Sequence, residues 1–289
     1  MRRPLLYLCL LLYFPLLATS AFPPPFESVM YAQYESTYYD QQAAAWEALA
    51  TSACGTDDAW WQYYKTAQYS NRFGNGDHDL DAILAAAEKA CDPNGFDLQY
   101  IRFAHERDPE ERYAHLLRAV AADSSRIEAS TGLSGYYTVR GMEEKRHELL
   151  RRMHAKRPLP AGLVEYNYNQ LQSVGENGIL ITHGDADTFP SWLLQSAYGV
   201  RKDVLVVNLY LLLGFPSYQE HIRELLGVEK LFAAPTRDAK SLMDQLAEYE
   251  RPVHVAATGR AQLTDIPAER LYLTGLTFRY SKTPINNLG

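Results

Sequence analysis

Asn177-Gly178-Ile179-Leu180-Ile181-Thr182-His183-Gly184-Asp185-Ala186-Asp187-Thr188 is the stretch that decides the fold. Ile179 to Thr182 is a short, continuous β-prone run set between turn formers, the texture of a strand covered on both faces. Thr188 to Tyr198 then reads as an amphipathic helix, and Val204 to Leu209 repeats the buried-strand pattern. Helices are expected at Ser217 to Leu226 and Ala239 to Tyr249, with a third strand at Val253 to Ala257. Strands separated by helices pair in parallel through right-handed crossovers. Residues 158–289 are therefore expected to form a small parallel three-layer α/β domain. Leu271 to Tyr280 alternates as an edge strand or hairpin partner would.

In an open parallel sheet, ligands sit beyond the carboxyl ends of the strands. Those ends carry His183, Asp185, Asp187 and Thr188 after the first strand, Asn208 and Tyr210 after the second, and Thr258 and Arg260 after the third. These eight are the candidate ligand-binding residues. Asp185 and Asp187 lie two apart, so an extended loop would turn both carboxylates towards one divalent cation. A strand followed by Asp-x-Asp is also how many nucleotide-sugar glycosyltransferases hold a metal. Thr188 or Asp187 would cap the helix entered through Pro190, leaving backbone N–H groups that favour an anion. The same turn has a structural reading, in which one aspartate caps the helix and the other satisfies donors of its own turn. Gly-x-Ser-x-Gly, His-Glu-x-x-His and phosphate-loop signatures are absent from the sequence. His147 and His154 share a helical face without a partner at metal-ligand spacing, and read as solvated.

Upstream, residues 36–157 carry aromatic and aliphatic residues at spacings of three and four, punctuated by turn clusters. Helices are expected at Tyr38 to Ala50, Asp57 to Tyr69, Leu80 to Lys89, Phe96 to Glu106, Pro109 to Ala122, Arg126 to Val139 and Glu143 to Lys156. The last four form two pairs repeating at roughly 30 residues, near the ~34 of a tetratricopeptide repeat. The fold class is thus a helical-repeat half followed by an α/β half. The many rings here, among them Trp46, Trp60, Trp61, Tyr63, Tyr64, Tyr69, Tyr100, Tyr113, Tyr136 and Tyr137, serve either helix packing or a carbohydrate or peptide groove.

Residues 1–21 read as a cleavable signal peptide: Arg2 and Arg3, an apolar run from Leu5 to Leu17, then small residues up to Ala21. Residues 22–35 read as a linker, and the mature chain is expected to be secreted or periplasmic, with no membrane span. Its charge, 26 basic against 35 acidic residues once residues 1–21 are removed, argues against a nucleic-acid partner. Cys54 and Cys91 would then lie where disulfides persist, either bridged or as separate thiols.

The stretch 177–195, with Gly199-Val200-Arg201-Lys202-Asp203-Val204 and Val207-Asn208-Leu209 behind it, carries a family resemblance. Residues 165–280 resemble the soluble C-terminal region of certain bacterial multi-spanning membrane proteins similar to protein O-mannosyltransferases. Arg251-Pro252-Val253-His254-Val255-Ala256 and Gly275-Leu276-Thr277-Phe278-Arg279-Tyr280 extend the match in the same order. Ala186 stands where that family usually has Asn. The resemblance implies the soluble α/β module and not the membrane-embedded transferase. The helical half loosely resembles tetratricopeptide repeats, through Ala129, Gly132, Tyr136 and Tyr137.

The expected function is that of an exported accessory or recognition protein of the cell envelope. Its helical repeats would grip a protein or glycan partner, and its α/β module would bind a ligand. The alternative is a metal-assisted envelope hydrolase or transferase using Asp185 and Asp187, with His183 as acid or base.

Overall fold

Side-chain caps set where several of the helices begin. Thr56 accepts the Ala59 N–H at 3.1 Å, and Asp79 accepts that of Ala82 at 3.0 Å. Asp108 accepts those of Glu110 and Glu111 in front of Pro109 at the first helical position, which has no N–H to satisfy. In this computed structural model, which describes residues 23, 26, 32–53, 55–126, 128–231, 238–262 and 266–286 (backbone alone at 260–262), seven helices fill the first half. They are α1 (Ser36–Ala50), α2 (Asp57–Phe73), α3 (Leu80–Ala90), α4 (Phe96–His105), α5 (Pro109–Ala122), α6 (Ala129–Val139) and α7 (Glu143–Lys156). The 3.6-residue periodicity thus translates into helices within a few residues of the expected bounds.

Ring burial accounts for most of the aromatic residues in this half. Trp46, Trp60, Trp61, Tyr64 and Tyr100 are buried, with Trp61 edge-on to Tyr100 at 4.7 Å. Such pairs add about 1 kcal/mol to the stabilisation from area burial. Gly132 makes the α4–α6 contact possible, because a Cβ there would lie 2.8 Å from Phe103 Cζ. Phe26, in the stretch read as a linker, is buried and meets Tyr69 at 4.8 Å. The signal-peptide reading of residues 1–21 and Cys54, the possible partner of buried Cys91, lie outside the described residues.

Two helices were not expected, one ahead of the sheet and a short one, Leu209–Gly214, directly after its second strand. α8 (Ala161–Gln172) follows Pro158 and Pro160, whose breaker character obscures the Val164, Asn167, Leu171 spacing that faces the core. The second half continues with β1 (Ile179–Thr182), α9 (Asp185–Tyr198), β2 (Leu205–Asn208), α10 (Leu209–Gly214), α11 (Pro216–Leu226), α12 (Ala239–Leu246), β3 (Val253–Ala256), a 3-10 turn (Ala257–Gln262), β4 (Leu271–Thr274) and β5 (Thr277–Tyr280). The sheet order is β2-β1-β3-β5-β4. Its first three strands are parallel, with Ile179 opposite both Leu205 and Val253. The parallel pairing expected of the three helix-separated strands holds, and the segment Leu271 to Tyr280 joins them as a hairpin that makes the sheet mixed, β5 running antiparallel to both β3 and β4. Gly275, at φ +63°, opens the two-residue turn that makes β4–β5 a hairpin, so no helix is needed to return the chain.

Strand alternation divides the core. Leu180, Val206 and Ala256 pack with Leu171, Trp192 and Leu193 of α8 and α9. Ile179, Ile181, Val207 and Val255 face Leu212, Ile222, Leu242 and Met243 on the other side. That second cluster runs on into the helical half, and Tyr113 meets Phe215 at 5.8 Å where the halves join.

At the amino ends of the parallel strands, one guanidinium closes the structure. Arg201 donates from Nε and Nη2 to Asp203, both at 2.8 Å, from Nη1 to the Leu171 and Val174 carbonyls, both at 2.9 Å, and from Nη2 to that of Gly175 at 3.1 Å. All five guanidinium N–H groups are occupied. The Arg201 hydrogen bond holds the Asp203 carboxyl down at about 2, against the opposing effect of burial. His254, 2% exposed, accepts the Gly175 N–H at Nε2 and pairs with Thr277 through Nδ1. Burial pushes its imidazole down to about 4.

Candidate functional site

The loop after β1 does not stay extended as far as Thr188. The helix starts at Asp185, so Asp185 and Asp187 sit two apart in its first turn, on different faces. This corrects the picture of two carboxylates turned together. Asp187, 2% exposed, folds back to accept the Gly184 N–H at 2.7 Å and the His183 N–H at 2.9 Å, the reciprocal half of a capping box. Thr258 Oγ1 donates to the same carboxylate at 2.9 Å, tying the third strand's exit to the first. Both oxygens of Asp187 are therefore occupied.

Pro190 lies inside α9 and has no N–H, which leaves the Ala186 carbonyl without its helical donor. Asn167 of α8 supplies one: its Nδ2 reaches that carbonyl at 2.9 Å, while its Oδ1 accepts from Ser191 at 3.0 Å. Reading the strand-end loops alone misses Asn167, and its only sequence signal is the helical spacing of α8. Beneath the loop, Asn208 Nδ2 donates to Thr188 Oγ1 at 2.9 Å and Thr188 Oγ1 to Thr182 Oγ1 at 2.8 Å. Asn208 also caps α10 by accepting the Leu211 N–H. Thr188, Asn208 and Thr258 thus serve as framework.

Asp185, His183 and Tyr210 face outward. They border a cleft of about 930 Å³ whose opposite wall comes from the helical half: Tyr69, Arg72 and Phe73 of α2, Phe103 of α4, and Arg112 and Tyr113 of α5. Tyr210 Oη lies 2.6 Å from His183 Nε2, and the phenol ring is 57% exposed. Burial lowers the His183 pKa, against the opposing effect of Asp187, favouring the neutral imidazole. Asp185 touches solvent, yet it lies on the cleft floor with protein mass around it. Desolvation first, and Asp187 second, raise its pKa, while Arg72 and Arg112 oppose the rise. The Arg260 side chain lies outside the described residues.

Strand-end reasoning located half of this cleft. The other half comes from residues of α2, α4, α5 and α6, distant in sequence, which helical periodicity marks only as surface or core. Among the described residues no group of three or more His, Cys, Asp or Glu side chains is arranged to hold a metal ion. His147 and His154, expected to be solvated, each have a partner on α9: His147 Nδ1 lies 2.5 Å from Ser196 Oγ, and His154 Nε2 2.8 Å from Tyr198 Oη.

A helical half joined to a mixed α/β unit, with a cleft between them, defines the class of protein. A family model, TMEM260-associated domain 2, matches residues 163–224, from α8 to α11. The match covers less than half of the chain and is consistent with a relationship to TMEM260. No curated protein and no solved structure matches the chain. Among the described residues no helix is long and apolar enough to cross a membrane.

Proposed function

We propose that this protein is an exported recognition module of the cell envelope that holds a small polar ligand of the saccharide class in the cleft between its halves. It would act as an accessory to a larger assembly, in the manner of a soluble domain related to those of O-mannosyltransferase-like membrane proteins. The observation that carries this reading is the cleft itself. Its volume is in the range of small-molecule sites, exposed rings line it, and polar groups converge on its floor. Phe73 and Tyr210, 38% and 57% exposed, offer faces on which a sugar ring stacks. Titration calorimetry against a panel of neutral sugars tests the reading. At least a tenfold loss of affinity is expected in Tyr210→Ala at unchanged Tm, and absence of binding by every sugar, neutral or acidic, would refute it.

The metal-assisted alternative draws support from Asp185 alone, whose carboxylate faces the cleft. Titration with Mg²⁺ and Mn²⁺ separates the two: tight binding lost in Asp185→Ala would favour the enzyme.

A further inference from the structure

Most arginines of known partner in this acidic chain are neutralised by carboxylates. Arg102, Arg126, Arg140, Arg146, Arg201, Arg223 and Arg270 each lie within 4.0 Å of an Asp or Glu oxygen. Arg72 and Arg112 do not: both are exposed and neither has an ion-pair partner among the described residues. Each instead lies against a ring, Arg72 over Phe73 at 5.0 Å and Arg112 over Phe103 at 4.7 Å. The two come from different helices, α2 and α5, and both border the cleft opposite Asp185. Packing on a ring orients a guanidinium while leaving its N–H edge free, the arrangement that binds a carboxylate or phosphate in bidentate fashion. In a chain of formal charge -7, two arginines without an ion-pair contact among the described residues on one wall of this cleft are a local reversal of sign.

Building on the saccharide reading, we infer that the cleft selects an acidic sugar, one bearing a phosphate or carboxylate that Arg72 and Arg112 hold while the exposed rings take the sugar face. A cleft of about 930 Å³ suits a ligand of one to three sugar rings and is small for a folded partner.

Calorimetry with glucose, glucose 1-phosphate and glucuronate as probes tests this on the full chain. At least one acidic sugar is expected to bind tenfold or more tighter than glucose, and to lose that advantage in 0.5 M NaCl. Which of the two prevails distinguishes phosphate from carboxylate recognition. Arg72→Ala/Arg112→Ala should bring the acidic sugars to the affinity of glucose, at unchanged Tm, because neither side chain supports the fold through an ion pair. Equal binding of all three probes overturns the inference and leaves the saccharide reading standing, as does unaltered acidic-sugar binding by the double variant. Failure of all three, glucose included, overturns both. An acidic peptide that binds more tightly than either acidic sugar would also overturn the inference, by replacing the ligand class.

Discussion

The two ends of the parallel strands are equally rich in polar residues and differ in what those residues touch. At the amino ends, Arg201, Asp203 and His254 bond to one another's backbone neighbours, and each N–H of the guanidinium has an acceptor. At the carboxyl ends, Asp187, Thr188 and Asn208 are absorbed in the same way, whereas Asp185, Tyr210 and, across the cleft, Arg72 and Arg112 retain unused hydrogen-bonding capacity. Polar density therefore does not distinguish a site from a clamp. Unsatisfied donors and acceptors beside a cavity do.

The contrast breaks most visibly at Arg201. Arg201→Ala removes a donor from each of the Leu171, Val174 and Gly175 carbonyls and two from Asp203, and should cost about 3 kcal/mol, read as a lower urea midpoint, with no change in ligand affinity. A loss under 0.5 kcal/mol would show that water replaces the clamp.

His254 comes next. Its folded pKa, about 4, lies below the unfolded value of 6.5, so the unfolded chain binds more protons between those limits. Stability is thus fully present above pH 6.5 and falls as the pH drops towards 4, by about 2 to 3 kcal/mol from this residue. Thermal melts from pH 7 to 4 should show the decline, and His254→Gln should flatten it. Asp203 follows at lower pH: its depressed pKa contributes stability above about pH 4 that is lost as the pH falls to about 2.

The smallest effects sharpen the distinction between the two aspartates. Asp187→Ala removes a capping acceptor for two N–H groups and should destabilise by about 2 kcal/mol. Asp185→Asn should leave stability unchanged at pH 3 and slightly higher at pH 7, because the raised carboxyl pKa makes its ionised form unfavourable in the fold. Equal losses in the two variants would place both residues in the framework.

Sequence by itself determined the local structure. Periodicity and caps such as Asp108-Pro109 specify the helices of the first half, and short runs rich in Val, Ile and Leu specify β1, β2 and β3, because these preferences act over a few residues. It also located the strand ends where His183, Asp185 and Tyr210 stand. Tertiary structure alone decided which of those residues are framework, since the capping role of Asp187 depends on the helix starting at Asp185 and on Thr258 arriving from 71 residues away. It likewise added α8, whose Asn167 compensates for a proline in another helix. Finally, it brought Arg72 and Arg112 opposite Asp185. No local rule encodes that meeting, because the cleft exists only where the packing of the helical half against the sheet edge leaves a gap.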